Sequence, residues 1–176
     1  NEVIPEGATA ENNYTVNGVT YDSKTVNVKV TVTYNKETGE LKAELAKDSE
    51  AIAFQNSYDT ETSIGLEGTK SLSGRTLKDG EFTFEVKDKA GKVVATGSNK
   101  SDGSISFNNK LNYKLSDLEK ADGSYESEKT YEYTVNEVIP EGATAENNYT
   151  VNGVTYDNSI FTVKVIVSYD QATGIM

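Results

Sequence analysis

The sequence predicts an all-β chain of antiparallel β-sandwich modules in tandem, and three observations predict it. Apolar and polar residues alternate with a period of two along nearly the whole length, as half-buried strands require. Turn-forming Asn-Gly and Asp-Gly pairs punctuate these runs. NEVIPEGATAENNYTVNGVTYD at residues 1–22 returns unchanged at residues 136–157, an offset of 135 residues, with a weaker match running on to residues 41 and 176. A repeat of that length is a whole β-domain rather than one unit of a solenoid.

The elements follow in order. Asn17-Gly18 and Asn152-Gly153 lie between short β-prone stretches and read as tight hairpin turns. Val26, Val28, Val30, Val32 and Tyr34 alternate with polar residues, as do Phe161, Val163, Val165, Val167 and Tyr169 in the second copy. Phe82, Phe84 and Val86 form a further strand, closed by the turn Asp88-Lys89-Ala90-Gly91 and followed by Val93 and Val94. Ile105 and Phe107 come after Asp102-Gly103, and Tyr131, Tyr133 and Val135 lead into the second copy. The one helical candidate is a short turn over residues 116–121, with Ser116 as its cap. Many short strands with turns between them indicate an antiparallel sandwich. A boundary is expected near residues 57–63, giving a part-module at 1–58 and a second module at 59–176, each split at an end by the offset of the repeat.

Composition excludes several classes of function. The chain of 176 residues carries a formal charge of −11 with acids and bases mixed throughout, so no basic patch offers itself to nucleic acid. No apolar run is long enough to span a membrane, and there is no signal peptide. Cysteine and histidine are both absent. That removes disulfides, thiolate nucleophiles, His-dependent triads and the usual transition-metal sites, and no cofactor is implied.

Strand parity singles out three polar residues in the apolar register. Asn56 shares its face with Ile52, Phe54 and Tyr58; Lys70 shares one with Ile64, Leu66 and Leu72; Glu137 shares one with Tyr131, Tyr133, Val135 and Ile139. Glu2 is the first-copy equivalent of Glu137. A lone inward lysine usually snorkels to solvent, and a lone Asn or Glu often marks a bulge or a strand end. Together the three have a joint chemistry. Burial disfavours the charged forms of amine and carboxyl alike. The amine of Lys70 is then a nucleophile for an Asn side-chain amide, with the carboxyl polarising the amide carbonyl and shuttling protons as ammonia leaves. The product is a Lys–Asn amide bond between strands, made once without His, Cys or metal and without turnover.

These residues also carry a family resemblance. TKSLSGRTLKDGEFTFEV at residues 69–86 resembles the opening of a streptococcal-type pilin isopeptide-linkage module, YEYTVNEV at 131–138 its Glu-bearing strand, and FQNSY at 54–58 its closing strand. The family is that of T-antigen-like backbone pilins and repetitive surface adhesins of Gram-positive bacteria. It implies an immunoglobulin-like sandwich whose first and last strands are joined by an autocatalytic Lys–Asn bond. The match makes Lys70 the amine, Asn56 the amide, and Glu137 and Glu2 the assisting acids. It also implies an extracellular, cell-surface fibre or adhesin stalk.

The offset divides the triad, since Lys70 and Glu137 belong with the second module and Asn56 and Glu2 with the first. One expectation follows: residues 41–58 of one chain complete the second module of another as a donated strand, so the partner is a further copy of this protein. Within a chain only residues 57–69 connect the two groups, at the limit of a crossover of about a dozen residues between parallel strands. A multivalent adhesin binding a host protein or glycan through loops such as 141–148 is the alternative, and a glycosidase with paired carboxylates a remoter one. Asp102-Gly103-Ser104 and Asp122-Gly123-Ser124 read as turns rather than calcium loops, and the Asn13 and Asn148 sequons as strand residues.

Overall fold

The computed structural model describes residues 1–176, folded as fifteen strands and three single-turn 3₁₀ segments. The chain divides into two compact units, Asn1–Asp59 and Thr60–Met176.

In the first unit β1 (Thr15–Val16) and β2 (Val19–Thr20) form a hairpin, and β5 (Ser57–Tyr58) adds to β2 to make a three-stranded antiparallel sheet. The Asn17-Gly18 turn holds φ of 50° and 78°, the left-handed pair that a two-residue turn demands. Gly18 has a second reason to be glycine: a Cβ there would sit 2.5 Å from the Asp59 carbonyl oxygen. A separate hairpin joins β3 (Val30–Tyr34) to β4 (Leu41–Leu45), pairing Val30 with Leu45 and Tyr34 with Leu41.

The second unit is an antiparallel β-sandwich. Its strands are β6 (Glu61–Ile64), β7 (Gly68–Thr69), β8 (Thr83–Asp88), β9 (Val93–Asn99), β10 (Ser104–Phe107), β11 (Leu111–Lys114), β12 (Glu128–Glu137), β13 (Thr150–Val151), β14 (Val154–Thr155) and β15 (Ile160–Ser168). A six-stranded sheet runs β15-β12-β8-β9-β10-β7, faced by the pair β11-β6, while β13-β14 forms a hairpin. Val86 and Ala95 from the large sheet meet Leu111, Tyr113, Leu115 and Leu118 across the core, together with Tyr133, Val165, Val167 and Tyr169. The Tyr113 and Tyr133 hydroxyls hydrogen-bond each other at 2.9 Å, so neither is stranded inside. Burial, then that bond, pushes the Tyr113 phenol well above its ordinary range. A smaller cluster of Leu77, Phe82 and Phe84 closes the end nearer β7.

Three local expectations are corrected. The 116–121 turn is a 3₁₀ segment at Leu115–Leu118, and Ser116 does not cap it. Lys114 holds the cap position, donating its N–H to Asp117 at 2.8 Å. Asn13 and Tyr14 are not strand residues: with φ of 54° and 55° they close a 3₁₀ turn, as do Asn148 and Tyr149. Ile64 points outward, because β6 pairs only with β11 and the large sheet does not cover it.

The repeat exposes one sequence to two environments. Val28, Val30, Val32 and Tyr34 are all exposed in the first unit. Their counterparts at 163, 165, 167 and 169 pack in or against the core of the second, where β12 pairs with β15 and β11 lies opposite. Val32 is 63% exposed and Val167 3%. We therefore expect Val167→Ala to cost about 2–3 kcal/mol in transfer and cavity terms. Val32→Ala should change stability by no more than about 0.5 kcal/mol. Urea unfolding of the two variants measures the difference, and equal costs would contradict the assignment of the core.

Candidate functional site

Lys70 follows β7, where its N–H donates to the Gly103 carbonyl at 2.7 Å. Gly103 permits this approach, since it holds φ of 90° and a Cβ there would lie 2.9 Å from the Lys70 carbonyl oxygen. Glu137 is the last residue of β12. The two side chains meet at 2.5 Å, Lys70 Nζ to Glu137 Oε2, with side-chain exposures of 12% and 3%. Lys70 Nζ also lies 4.4 Å from the centroid of the Phe82 ring. This is a desolvated pair against an aromatic face, which strengthens both the ionic and the cation–π interaction. The second carboxylate oxygen, Glu137 Oε1, is buried without a hydrogen-bond partner.

A groove of about 450 Å³ opens beside the pair. Phe84, Ile105, Phe107 and Phe161 line its apolar walls, and Lys70, Glu137 and Asp157 its polar end. Asp157 is hydrogen-bonded by Ser159, and those bonds, with the charge of Lys70 as a smaller cause, hold its carboxyl below the usual range.

The first unit holds the other half of the set. Asn56 Nδ2 donates to Glu2 Oε1 at 2.6 Å. Its Oδ1 accepts the Asp22 N–H at 2.9 Å. A backbone N–H only donates, so the amide orientation is unambiguous. Asp22 Oδ2 in turn accepts the N–H of Gln55 at 3.1 Å and the Lys24 ammonium at 2.8 Å. Glu2 Oε2 is buried and has no partner.

Two features depart from the sequence reading. Asn56 is exposed, flanked by Phe54 and Tyr58 at 37% and 38%, because the β3–β4 hairpin of the first unit does not cover that face. Glu2 meets the amide nitrogen and not the carbonyl, which the main chain of Asp22 has taken. Parity reasoning missed Asp22 and Asp157, since both lie beyond strand ends, where a period of two says nothing. Their signal was the identity of the two copies. Asp102 and Asp122 each accept the N–H and hydroxyl of the serine two residues on, forming local turns.

An antiparallel sandwich with a buried Lys–Glu pair in one unit and an Asn–Glu pair in the other defines a pilin-type module with the residue types of an isopeptide site. The family model of the Spy0128-like isopeptide containing domain, FctA, matches residues 5–59 and 66–175, nearly the whole chain, and the protein belongs to that family. Neither the curated proteins nor the solved structures yield a match. Membership gives a structural role in a pilus, a place in a surface-exposed fibre and assembly with other pilin modules. No helix is long and apolar enough to cross a membrane.

The buried pair makes a prediction. Lys70→Met leaves Glu137 inside without its cation and should cost about 3–5 kcal/mol. The double variant Lys70→Met/Glu137→Leu removes both charges and should recover most of that loss, as measured by denaturant midpoints of the two proteins. A double variant as unstable as the single would mean that the pair is not desolvated.

Proposed function

We propose that this protein is a fibre module that locks itself, or a neighbouring copy, through an autocatalytic bond between Lys70 and Asn56. The observation that carries the reading is the complementarity of the two half-sites. By repeat position Glu2 and Glu137 are the same residue, and each has one carboxylate oxygen engaged and one buried without a partner. Glu137 engages a lysine through one oxygen and Glu2 an asparagine amide through one oxygen, so one glutamate has an oxygen for each partner. A completed site would use both oxygens of one glutamate.

Strand donation from a second copy brings the groups together. Residues 1–22 and 136–157 are identical, so residues 55–58 meet the same donors and acceptors on the second unit of another chain as on their own first unit. Transferred by the repeat, Ser57 and Tyr58 pair with Thr155 and Val154, and β4 extends the sheet along β15 with Leu45 opposite Val165. The exchange keeps these contacts and adds burial of apolar groove wall, which favours it.

In the reaction Lys70 first passes its ammonium proton to Glu137, its partner at 2.5 Å, and the amine so formed attacks Cγ of Asn56. The Nζ–Cγ bond forms, the Cγ–Nδ2 bond breaks, and nitrogen leaves as ammonia. Glu137 takes a proton from the attacking nitrogen and returns one to the leaving nitrogen. The reaction consumes its own residues, so the protein is not a turnover enzyme. A covalent tie between terminal strands blocks unzipping and constrains the unfolded chain, and in a protein without cysteine it does the work of a disulfide. Such a tie suits a cell-wall-attached fibre under load.

The host-binding alternative gains nothing from the repeated loop at 141–148. In both copies its shape has a local cause: Asn12 and Asn147 each accept two main-chain N–H groups and donate to a glycine carbonyl.

The test mixes an Asn56→Ala chain with a Lys70→Ala chain, which leaves one competent pairing. We expect a dimer that survives a denaturing gel and weighs one ammonia less than its two chains, with neither variant cross-linking alone. Glu137→Ala in the lysine-bearing chain should slow the reaction by about 10²–10⁴-fold. Monomer alone under all conditions would refute bond formation between chains.

A further inference from the structure

We propose that Asp157, and Asp22 as its copy, supply the oxyanion contact and the clamp for the reacting amide. The inference rests on the Lys–Asn reading above and adds a residue to it. Its ground is the amide geometry in the first unit. Asn56 Oδ1 is held 2.9 Å from the Asp22 N–H, and Asn56 Nδ2 is held 2.6 Å from Glu2. When an amine attacks Cγ, negative charge collects on Oδ1 and the proton demand falls on Nδ2. The N–H of Asp22 thus faces the atom that becomes anionic, and the glutamate faces the atom that departs. A preorganised donor aimed at the developing charge is what stabilises a tetrahedral intermediate. The glutamate is left free for proton transfer and need not polarise the carbonyl.

The aspartate side chain does a second job. Asp22 Oδ2 accepts the N–H of Gln55, the residue before the asparagine, at 3.1 Å. One residue therefore grips the donated strand twice, once by its carboxylate on residue 55 and once by its N–H on the side chain of residue 56. Two contacts from one residue fix both the depth of the strand and the rotamer of its amide, and positioning of this kind governs attack geometry.

The second unit carries the same residue beside the nucleophile. Asp157 lines the groove with Lys70 and Glu137, and Asp157 and Ser159 form the same local turn that Asp22 forms with Lys24. One substitution between the copies fits the role. In the first unit the Lys24 ammonium rests on Asp22 at 2.8 Å. At the equivalent position the second unit has Ser159, so the lysine beside Asp157 is Lys70.

With Asp157 as donor the reaction balances. Lys70 Nζ adds to Cγ, the C=O electron pair moves onto Oδ1 against the Asp157 N–H, Glu137 carries a proton from Nζ to Nδ2, and the pair returns as Cγ–Nδ2 breaks and ammonia leaves. Asp157 is oxyanion donor by its main chain and positioning residue by its side chain.

The mixed-chain system tests it. An Asn56→Ala chain carrying Asp157→Ala should bind the Lys70→Ala donor more weakly, because it loses the carboxylate contact to the Gln55 N–H, with Kd measured with Lys70→Ala also in the acceptor to prevent reaction. Its bond-forming rate at saturating donor should fall about tenfold or more, and Asp157→Asn, which keeps an acceptor for the Gln55 N–H, should recover most of the rate. In the unreactive acceptor that retains Asp157, the amide proton of Asp157 should shift downfield in NMR spectra when the donor docks. An unchanged rate at saturating donor, no rescue by Asn, or an unmoved amide proton would each overturn the proposal. Failure of the chain with Asp157 intact to lose ammonia would instead overturn the Lys–Asn reading itself, so the two failures are distinct.

Discussion

The site of the second unit depends on bringing Lys70 to Glu137. The lysine follows β7 at one edge of the six-stranded sheet, and the glutamate ends β12, four strands away. In a flat sheet four spacings of about 4.8 Å would keep them some 19 Å apart. Their contact at 2.5 Å therefore requires the sheet to coil strongly, in the sense its natural twist allows. The register shift between Val86 and Lys87 and the small residues Gly68 and Gly97 serve that curvature. A Cβ at Gly97 would stand 2.8 Å from the Phe107 ring, so the concave face is close-packed where it bends.

A coiled sheet makes a groove, and a groove explains the electrostatics. Phe82, Phe84 and Phe107 keep water from the pair, so each charge depends on the other. The unpartnered Glu137 Oε1 is a cost of the same arrangement, since a buried acceptor without a donor is unfavourable. A site under that tension gains from any strand that brings an amide N–H. On the proposed reading, strand donation and bond formation would draw on one physical source, the desolvation of a carboxylate.

Much of this was legible in the sequence. Period-two patterns place β3, β8, β12 and β15, and Asn-Gly pairs place two hairpins whose positive φ values leave few alternatives. Parity put Lys70 and Glu137 on inward faces; Glu137 is buried and Lys70 is partly so. It also put Asn56 inward and Ile64 in the core, and both are exposed. Alternation reports which residues share a face; whether anything covers that face is a question of partners. The aspartates were not legible, because a residue beyond a strand end has no period to betray it.

The repeat separates local from global causes. Residues 7–15 and 142–150 are identical and adopt the same turn, with the same asparagine bonds and the same left-handed pair. Every partner lies within five residues, so the sequence determines that turn wherever it stands. Val30 and Val165 are equivalent too, yet one is 58% exposed and the other 7%. Their side chains are the same; what differs is a β12 and a β11 to lie against. Turns, strand parity and the choice of reactive residue types belong to the sequence. Burial, and with it the reach of Lys70 to Glu137, was decided only by tertiary structure, because desolvation requires neighbours distant in the chain.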